Sequence, residues 1–523
     1  MDASRSSRSV GYRACHDALM CQDILEEISN FVAQEADPDA ETSQCLACLA
    51  RVCKIFNVTF DKMLWASLPS VGPLLRLLSH LRPVVACESY WSLEYGERVS
   101  PEDWARFLRR ASMVRKLTWR QEHVSPSVWA CIPKQAAGQI LLPRMRELNW
   151  RFDRPESIVP ELSLLISPCL ERLALEFSLG VTEPRDISER VRSMVETVVS
   201  RAPDLAGLHL TTNSLPLYHL SRHLPPISML HRLSELSLLE TLYTADFDML
   251  RMLSSLKTLT KLVVGADLPR DPLPDLRGFR VLEQLHVMSH PSAEKILELL
   301  AMVSSPKLLN VAFNDNAQRS ERYVVSLWGP QDFLAVCDEL ARRFSMLEHI
   351  EIAVRTKDVE SLDLAIARLA SLRSLKKVDI RATERPRAAN PMVSVSDALF
   401  APLAAGWPHL VYFRLSVTRS IGCVTPGVLV KVADGCPQLR ELHMPRLDVT
   451  AATVGDVRMF PTRKHPLAVL CVQHAHIADD QGCAGIVDGL FPFLNIEESS
   501  GYHAGDEWKR MVRVLTVVQL LRS

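Results

Sequence analysis

The run Leu-Ser-Glu-Leu-Ser-Leu at residues 233–238 places an apolar residue, two variable residues, a second apolar residue, one variable residue and a third apolar residue. The same spacing returns as VRKLTW (114–119), MRELNW (145–150), LERLAL (170–175), LAGLHL (205–210), LTKLVV (259–264), LEQLHV (282–287) and LLNVAF (308–313). It continues as LEHIEI (347–352), LKKVDI (375–380), LVYFRL (410–415), LRELHM (439–444) and LAVLCV (467–472). The middle apolar residues are Leu117, Leu148, Leu173, Leu208, Leu236, Leu262, Leu285, Val311, Ile350, Val378, Phe413, Leu442 and Leu470. The alternation around each is the period of a half-buried strand. Between the runs lie segments such as ISERVRSMVETVVSRA (187–202), SAEKILELLAMVS (292–304), DFLAVCDELARRF (332–344) and VESLDLAIARLASL (359–372), each with apolar residues at helical spacing. One strand and one amphipathic helix cannot bury their own apolar faces, but a stack of such units can. The pattern therefore predicts an α/β solenoid of short parallel strands alternating with helices, over residues 81–498.

The interval between units is long and irregular, within and beyond the range of leucine-rich repeats. A different segment precedes them. From Ala18 to Leu68 the chain reads ALMCQDILEEISNFV, an acidic break, and SQCLACLARVCKIFNVTFDKMLWASL. Leu19, Ile24, Leu25, Ile28, Phe31 and Val32 form one apolar stripe at helical spacing, with Glu26 and Glu27 off it. Leu46, Leu49, Ala50, Cys53 and Phe56 form a second, with Ser43 at the expected N-cap. Leu64, Trp65 and Leu68 close the segment. So little chain cannot bury this much apolar surface by itself, so it needs a neighbour. Residues 15–80 read as a small all-helical hairpin followed by a linker helix from Pro69 to Leu81. Ser100 and Pro101 read as the cap and first position of the helix SPEDWARFLRRA.

The hairpin resembles an F-box: Leu49, Val52, Cys53, Lys54, Phe56, Leu64 and Trp65 match the second and third parts of that motif. Its first part departs, with Cys21 where the family has a helix-starting proline and a longer break from Ala33 to Thr42. The F-box-like hairpin, the DWARFLRRA segment, the irregular repeats and an LFPFL ending followed by Trp508 together resemble F-box/leucine-rich-repeat proteins of mushroom-forming fungi. That resemblance implies a substrate-recognition subunit of an SCF-type cullin-RING ubiquitin ligase. The F-box would dock on a Skp-family adaptor and through it on cullin, and the repeats would hold a protein target. Carried onto this chain, the adaptor-binding residues are Leu19, Ile24, Leu25, Ile28, Val52, Cys53, Phe56, Leu64 and Trp65. The rival reading is a leucine-rich-repeat interaction scaffold with no ligase role, whose hairpin is only an N-terminal cap. An exposed apolar face on the hairpin favours the first reading, and a covered one the second.

Composition narrows the remaining classes. Lys and Arg number 60 against 61 Asp and Glu, giving a net charge of −1, which offers no bulk field for nucleic acid or an anionic membrane. The 13 cysteines follow no spacing framework and read as reduced thiols of an intracellular protein, cytoplasmic or nuclear. Residues 1–14 are polar and basic and read as a disordered tail, not a secretory signal. No segment is apolar over the length needed to span a membrane. Cys45 and Cys48, with Cys53 nearby, lack the second pair that zinc requires and are better read as small packed residues. Cys471, His474 and His476 leave a strand for a loop without a fourth ligand. No phosphate loop, dinucleotide fingerprint, nucleophile elbow or H-E-x-x-H occurs, so neither an enzyme nor a cofactor is expected.

At the chain's end, Ile486 to Ile496 reads as a last strand-like unit. Residues 499–523 read as a capping segment whose helix turns Trp508, Met511, Val512, Leu515 and Val518 inward. The position after each middle apolar residue should face the concave surface: Thr118, Asn149, Ala174, His209, Ser237, Val263, His286, Ala312, Glu351, Asp379, Arg414, His443 and Cys471. The position before it includes Tyr412. From these rows the expected target-binding residues are His209, His286, Glu351, Tyr412, Arg414 and His443.

Overall fold

A computed structural model describes residues 21–35, 40–79, 81–83, 90–93, 99–118, 123–124, 128, 131–132, 136, 139–152, 158–177, 184–212, 224–239, 244–266, 277–288, 292–314, 328–355, 362–383, 393–418, 420–450, 464–499 and 505–522. The tail at 1–14 and Leu19 lie outside them. The fold is an α/β leucine-rich-repeat solenoid, and the chain divides into two compact units. One comprises residues 1–217 with 226–233, the other 218–225 with 234–523.

The first unit begins with three helices, α1 (Gln22–Glu35), α2 (Ala40–Leu49) and α3 (Lys54–Ala66). Leu25, Leu46, Ala50 and Phe60 form their private core, with Leu49, Phe56 and Leu64 packed against it. The expected second stripe is broken. Ala50 to Val52 is a turn, closed by Asn57 Nδ2 donating to the Ala50 carbonyl at 2.9 Å, and Cys53 is extended at the start of α3. Helix α2 starts at Ala40, upstream of the expected Ser43 cap.

Helix α3 runs without a loop into β1 (Ser67–Leu68), which pairs in parallel with β4 (Lys116–Thr118), Leu68 opposite Leu117. The ladder continues through β6 (Glu147–Phe152), β7 (Arg172–Phe177) and β8 (Gly207–Thr212). Leu117, Leu148, Leu173 and Leu208 stand opposite one another and are buried. Helices α6 (Ile158–Leu165) and α7 (Pro184–Arg201) connect the later strands. The expected linker helix from Pro69 is reduced to the single turn α4 (Gly72–Leu75), followed by β2 (Leu81–Pro83). Strand β2 joins β3 (Tyr90–Leu93) and β5 (His123–Val124) in a small side sheet. Helix α5 (Pro101–Ala111) starts as its sequence specifies, with Ser100 Oγ accepting from the Asp103 N–H and Pro101 in the first turn.

In the second unit the parallel ladder runs through β9 (Glu235–Leu239), β11 (Lys261–Ala266), β12 (Gln284–Met288), β13 (Asn310–Asn314) and β14 (His349–Arg355). It goes on through β15 (Lys377–Thr383), β17 (Tyr412–Val417), β19 (Glu441–Asp448) and β20 (Val469–His476). The short strands β10 (Thr244–Ala245), β16 (Val393–Ser394) and β18 (Ser420–Ile421) pair beside it. Leu236, Leu262, Leu285, Val311, Ile350, Val378, Phe413, Leu442 and Leu470 share one register and none is more than 1% exposed. The intervening helices are α8 (Phe247–Ser254), α9 (Ala293–Met302), α10 (Pro330–Arg343), α11 (Asp363–Leu369), α12 (Ala401–Gly406) and α13 (Pro426–Gly435). Asp246 and Ser292 cap α8 and α9 by accepting from the N–H groups of Met249 and Lys295. The short repeat from Leu262 to Leu285 packs tightly, and a Cβ at Gly278 would lie 2.3 Å from the Ser254 Cβ.

The segment after β20 is helical. Where a strand-like unit is expected over Ile486–Ile496, the chain forms α14 (Asp480–Leu490) and then the turn α15 (Ile496–Ser499). The reason lies in the open edge of β20. Ser499 Oγ accepts from the Leu470 N–H, the Asn495 N–H donates to Ala468 O, and the Gly505 N–H donates to Val472 O. Side chain and loop backbone thus take the place of a further strand. Helix α16 (Asp506–Arg522) covers this end with Trp508, Met511, Val512 and Leu515 buried, while Val518 is only half-buried.

Leu285→Ala should destabilise the protein by about 2–5 kcal/mol through lost burial and a residual cavity. Hydrogen exchange should speed up first in β11, β12 and β13, because solenoid contacts are local; a uniform rise along the second unit would contradict this.

Candidate functional site

Two surfaces concentrate the residues singled out in the sequence, one in each unit. The first is the helical hairpin. Leu25 is fully buried, and Phe56 and Leu64 pack on the same core, so these three hold the hairpin together. Ile24, Ile28 and Phe31 are 41%, 37% and 59% exposed at helical spacing along α1. Val52 in the turn is 64% exposed, and Ile55 and Val58 on α3 are 37% and 53% exposed. The apolar stripe of α1 is therefore split between an inner face and an outer one. Phe31, Ile55 and Val58 join the outer surface although the motif match selected none of the three for docking. Their signal was apolar character at positions the hairpin's own core does not use.

Trp65, expected among the adaptor-binding residues, is tied to the first repeats. It stands three residues before Leu68, the place that Val114, Met145 and Leu170 occupy in the following repeats. It is half-buried, with the Arg110 guanidinium 5.1 Å from its ring centroid. Arg110 also ion-pairs with Asp61 on α3. On the same helix α5, Asp103 accepts hydrogen bonds from the backbone N–H and hydroxyl of Ser79. The DWARFLRRA helix is thus fastened to α3 and to the segment after β1.

Cys45 and Cys48 are exposed and Cys53 half-exposed, contrary to the expectation that they are packed inside. Cys45 and Cys48 project from the outer side of α2 because Leu46, with Ala50 just beyond the helix end, fills the inner side. Cys471, His474 and His476 all lie on β20, with Cys471 buried and His474 exposed. His476 Nε2 lies 2.9 Å from an Arg446 nitrogen. Among the described residues, no three His, Cys, Asp or Glu side chains are arranged to hold a metal ion, and no helix is long and apolar enough to cross a membrane.

The second surface is the row of side chains facing away from the core in the second unit. It is less open than alternation alone implies. Ser237, Val263, Ala312, Asp379 and Cys471 are buried because short side chains on strands about 5 Å apart are covered by longer neighbours. His286 faces Glu351 across Ala312, and burial together with Lys261 holds its imidazole below the ordinary histidine pKa. His349 is lowered by burial, an effect to which Lys377 and Lys376 add. Glu351 is not a free anchor: Arg381 pairs with it and with Asp379, the latter at 3.1 Å. Tyr412 is half-buried, with Lys377 Nζ 5.1 Å from its ring centroid and the His443 ring 5.6 Å away. His443 Nε2 is 3.7 Å from Glu441, which stands opposite Tyr412 in the ladder. The register brings Glu351, Asp379, Arg414 and His443 into one row across β14, β15, β17 and β19. His209 lies on β8 of the first unit, opposite Ala174.

No family model matches the chain, and no curated protein matches it. Solved structures do. The yeast complex of Rad7 and Elc1 aligns over 85% of this chain and 93% of the matched chain, with 13% identity and a TM-score of 0.34. A leucine-rich-repeat protein of Leptospira interrogans aligns over 75% and 97%, with 12% identity and a TM-score of 0.31. A Bacteroides fragilis protein aligns over 54% of this chain and 60% of its own, with 11% identity and a TM-score of 0.26. This chain thus spans well under two thirds of the Bacteroides chain. Similarity at this level says nothing about partners.

Two predictions rest on these geometries. Arg110→Ala removes the tie to Asp61 and Trp65, and hydrogen exchange in residues 54–68 should accelerate while the second unit is unchanged. His286→Gln should flatten the pH dependence of stability. Its folded-state pKa lies below the unfolded value near 6.5, so the unfolded chain binds more protons and wild type loses stability as pH falls through that value. Chemical denaturation at neutral and mildly acidic pH should show the variant gaining on wild type in acid; parallel curves would contradict it.

Proposed function

We propose that the chain is an F-box protein, the substrate-recognition subunit of an SCF-type cullin-RING ubiquitin ligase. It binds a Skp-family adaptor through the hairpin and a protein target through its repeats. The observation that carries this reading is the hairpin's outer apolar surface. Three short helices that already enclose a core of their own still leave Ile24, Ile28, Phe31, Val52, Ile55 and Val58 in solvent. Surface of that kind is costly to leave wet and marks a partner site. It coincides with the part of the chain that resembles an F-box, including Val52 within the matched run.

The hairpin also closes the first repeat through β1, which is the role the rival scaffold reading assigns to it. The two roles use different side chains. Asp61, Trp65 and Leu68 turn toward α5 and β4, and the six exposed residues do not take part in those contacts. A cap with no further function has no need of the outer surface. In the proposed complex the chain performs no bond chemistry and acts by holding a target close to the ubiquitin-loaded enzyme.

Co-purification with a Skp-family adaptor tests this. The wild-type chain should capture the adaptor, and Ile24→Asp with Ile28→Asp, or Val52→Asp with Val58→Asp, should weaken capture by roughly ten-fold or more. Thermal stability should be nearly unchanged, because these side chains are exposed. Leu25→Asp should instead unfold the hairpin by burying an unpaired carboxylate. Failure of wild type to hold the adaptor, or full retention by both double variants, would leave the scaffold reading.

A further inference from the structure

The turns that feed the strands of the second unit carry an excess of cations. A two-residue turn precedes each ladder strand from β11 to β19. The residue just before the strand extends the ladder, with the N–H groups of Glu283, Lys376 and Arg440 donating to Thr260 O, Glu348 O and Val411 O at 2.7, 2.8 and 2.8 Å. These turns therefore stack in ladder order along one edge, about 5 Å apart. Lys257, Arg280, Lys307 and Arg373 stand in them, Arg440 directly before β19 and Lys464 shortly before β20. All six are exposed, and among the described residues none of the six forms an ion pair. The carboxylates of the same segments are Glu283 and Glu348, and Lys376 takes Glu348 at 2.8 Å. Asp434, in the last turn of α13, has a partner of its own. The net charge of −1 hides this cationic edge.

A cation beyond a helix end also offsets the helix dipole, but that role has no use for exposed apolar side chains. The same edge has them. Met346 is 53% exposed in the turn between those of Lys307 and Arg373, and Phe493 is 60% exposed in the turn after α14. Helix α16 packs beside α14 and runs the same way, with Arg510 pairing with Asp480 at 2.9 Å near the start of both. At about 1.5 Å of rise per residue in each helix, Leu520 comes level with Leu490, just before the turn of Phe493. Leu520 and Leu521 are 70% and 84% exposed. The edge thus ends in an apolar tip, and the exposed carboxylates nearest to it in the chain are Glu497 and Glu498 on α15.

We propose that this edge of the second unit docks on an anionic phospholipid surface, with the turn cations on lipid headgroups and Met346, Phe493, Leu520 and Leu521 in the interfacial layer. The site goes beyond the ligase reading and does not rest on it. Charge and apolar character together select the occupant. Separate cations in a row each meet their own headgroup, and their contributions add. Apolar tips beside them gain by leaving water at the boundary between headgroups and acyl chains. Nucleic acid would satisfy the cations and leave Met346, Leu520 and Leu521 wet. A second copy meeting the same edge would bring like charges together.

The test is vesicle flotation of the full chain, with phosphatidylcholine alone and with phosphatidylserine added at about 30 mol%. The anionic vesicles should bind roughly ten-fold more tightly than the neutral ones, and added salt should weaken them. Lys307→Glu with Arg373→Glu should remove most of the preference for anionic vesicles. Phe493→Ser with Leu521→Ser should weaken binding to the anionic vesicles several-fold and leave the salt dependence in place. Both double variants change exposed side chains, so their melting temperatures should stay close to wild type. Equal binding of wild type to the two vesicles, or unchanged binding by both double variants, would overturn the assignment. So would a lower melting temperature in the charge variant with vesicle binding intact, since the cations would then serve the helix ends alone. A single-stranded DNA oligomer held as tightly as the anionic vesicles by wild type and by the Phe493→Ser, Leu521→Ser variant would make the edge a nucleic-acid surface instead.

Discussion

A parallel ladder satisfies backbone hydrogen bonds only between neighbouring strands, so the first and last strands of any such stack leave a row of N–H and C=O groups unpaired. Much of this molecule follows from how that need is met. In the first unit the ladder begins at Ala66, the last residue of α3, whose carbonyl accepts from the Arg115 N–H at 2.8 Å. The hairpin is therefore the first turn of the stack as well as an element in its own right. In the second unit Asn495, Ser499 and Gly505 supply partners along the last strand, and α16 covers the apolar side with Trp508. The same requirement explains why Ile486–Ile496 adds no strand and runs instead from α14 through a loop into α15: a further strand would have left a new open edge.

The helices face a parallel problem. The last carbonyls of a helix have no partner within it. Here the next repeat supplies the donor. Arg343 donates to Leu300 O and Val303 O at 2.5 and 2.6 Å, Trp407 Nε1 to Leu369 O at 3.0 Å, and Cys436 Sγ to Leu403 O at 3.1 Å. His465 Nε2 lies 2.8 Å from Cys436 O. Arg201 does the same for Ser163 in the first unit. These repeats are thereby tied to the ones before them on the helical side as well as along the strands. This allows repeats of very different length to stack in one register.

Function is read from what these ties leave over. The hairpin spends Leu25, Leu46, Ala50 and Phe60 on its own core and Trp65 on Arg110, which leaves an apolar outer surface. In the second unit Arg381 pairs with Glu351 and Asp379, and Lys377 lies over the Tyr412 ring. In both places the exposed side chains are the remainder after internal packing and pairing.

The sequence alone determined the strand registers, because one buried apolar residue every repeat is a local pattern: all thirteen middle positions from Leu117 to Leu470 occupy it. It also determined helix starts that depend on neighbours in the chain, as Ser100 and Pro101 do for α5. It did not separate Leu25 from Ile24 and Ile28, since all are apolar at helical spacing and only packing against Phe60 decides which turns inward. Nor did it find β1, because Leu68 becomes a strand residue only when Leu117 is beside it. Whether Glu351 is an anchor or an internal counter-ion depended on Arg381, thirty residues away on the next strand. Alternation says which side a residue faces. Whether it is reached by solvent depends on the size and charge of side chains that come from other repeats, and tertiary structure alone brings those together.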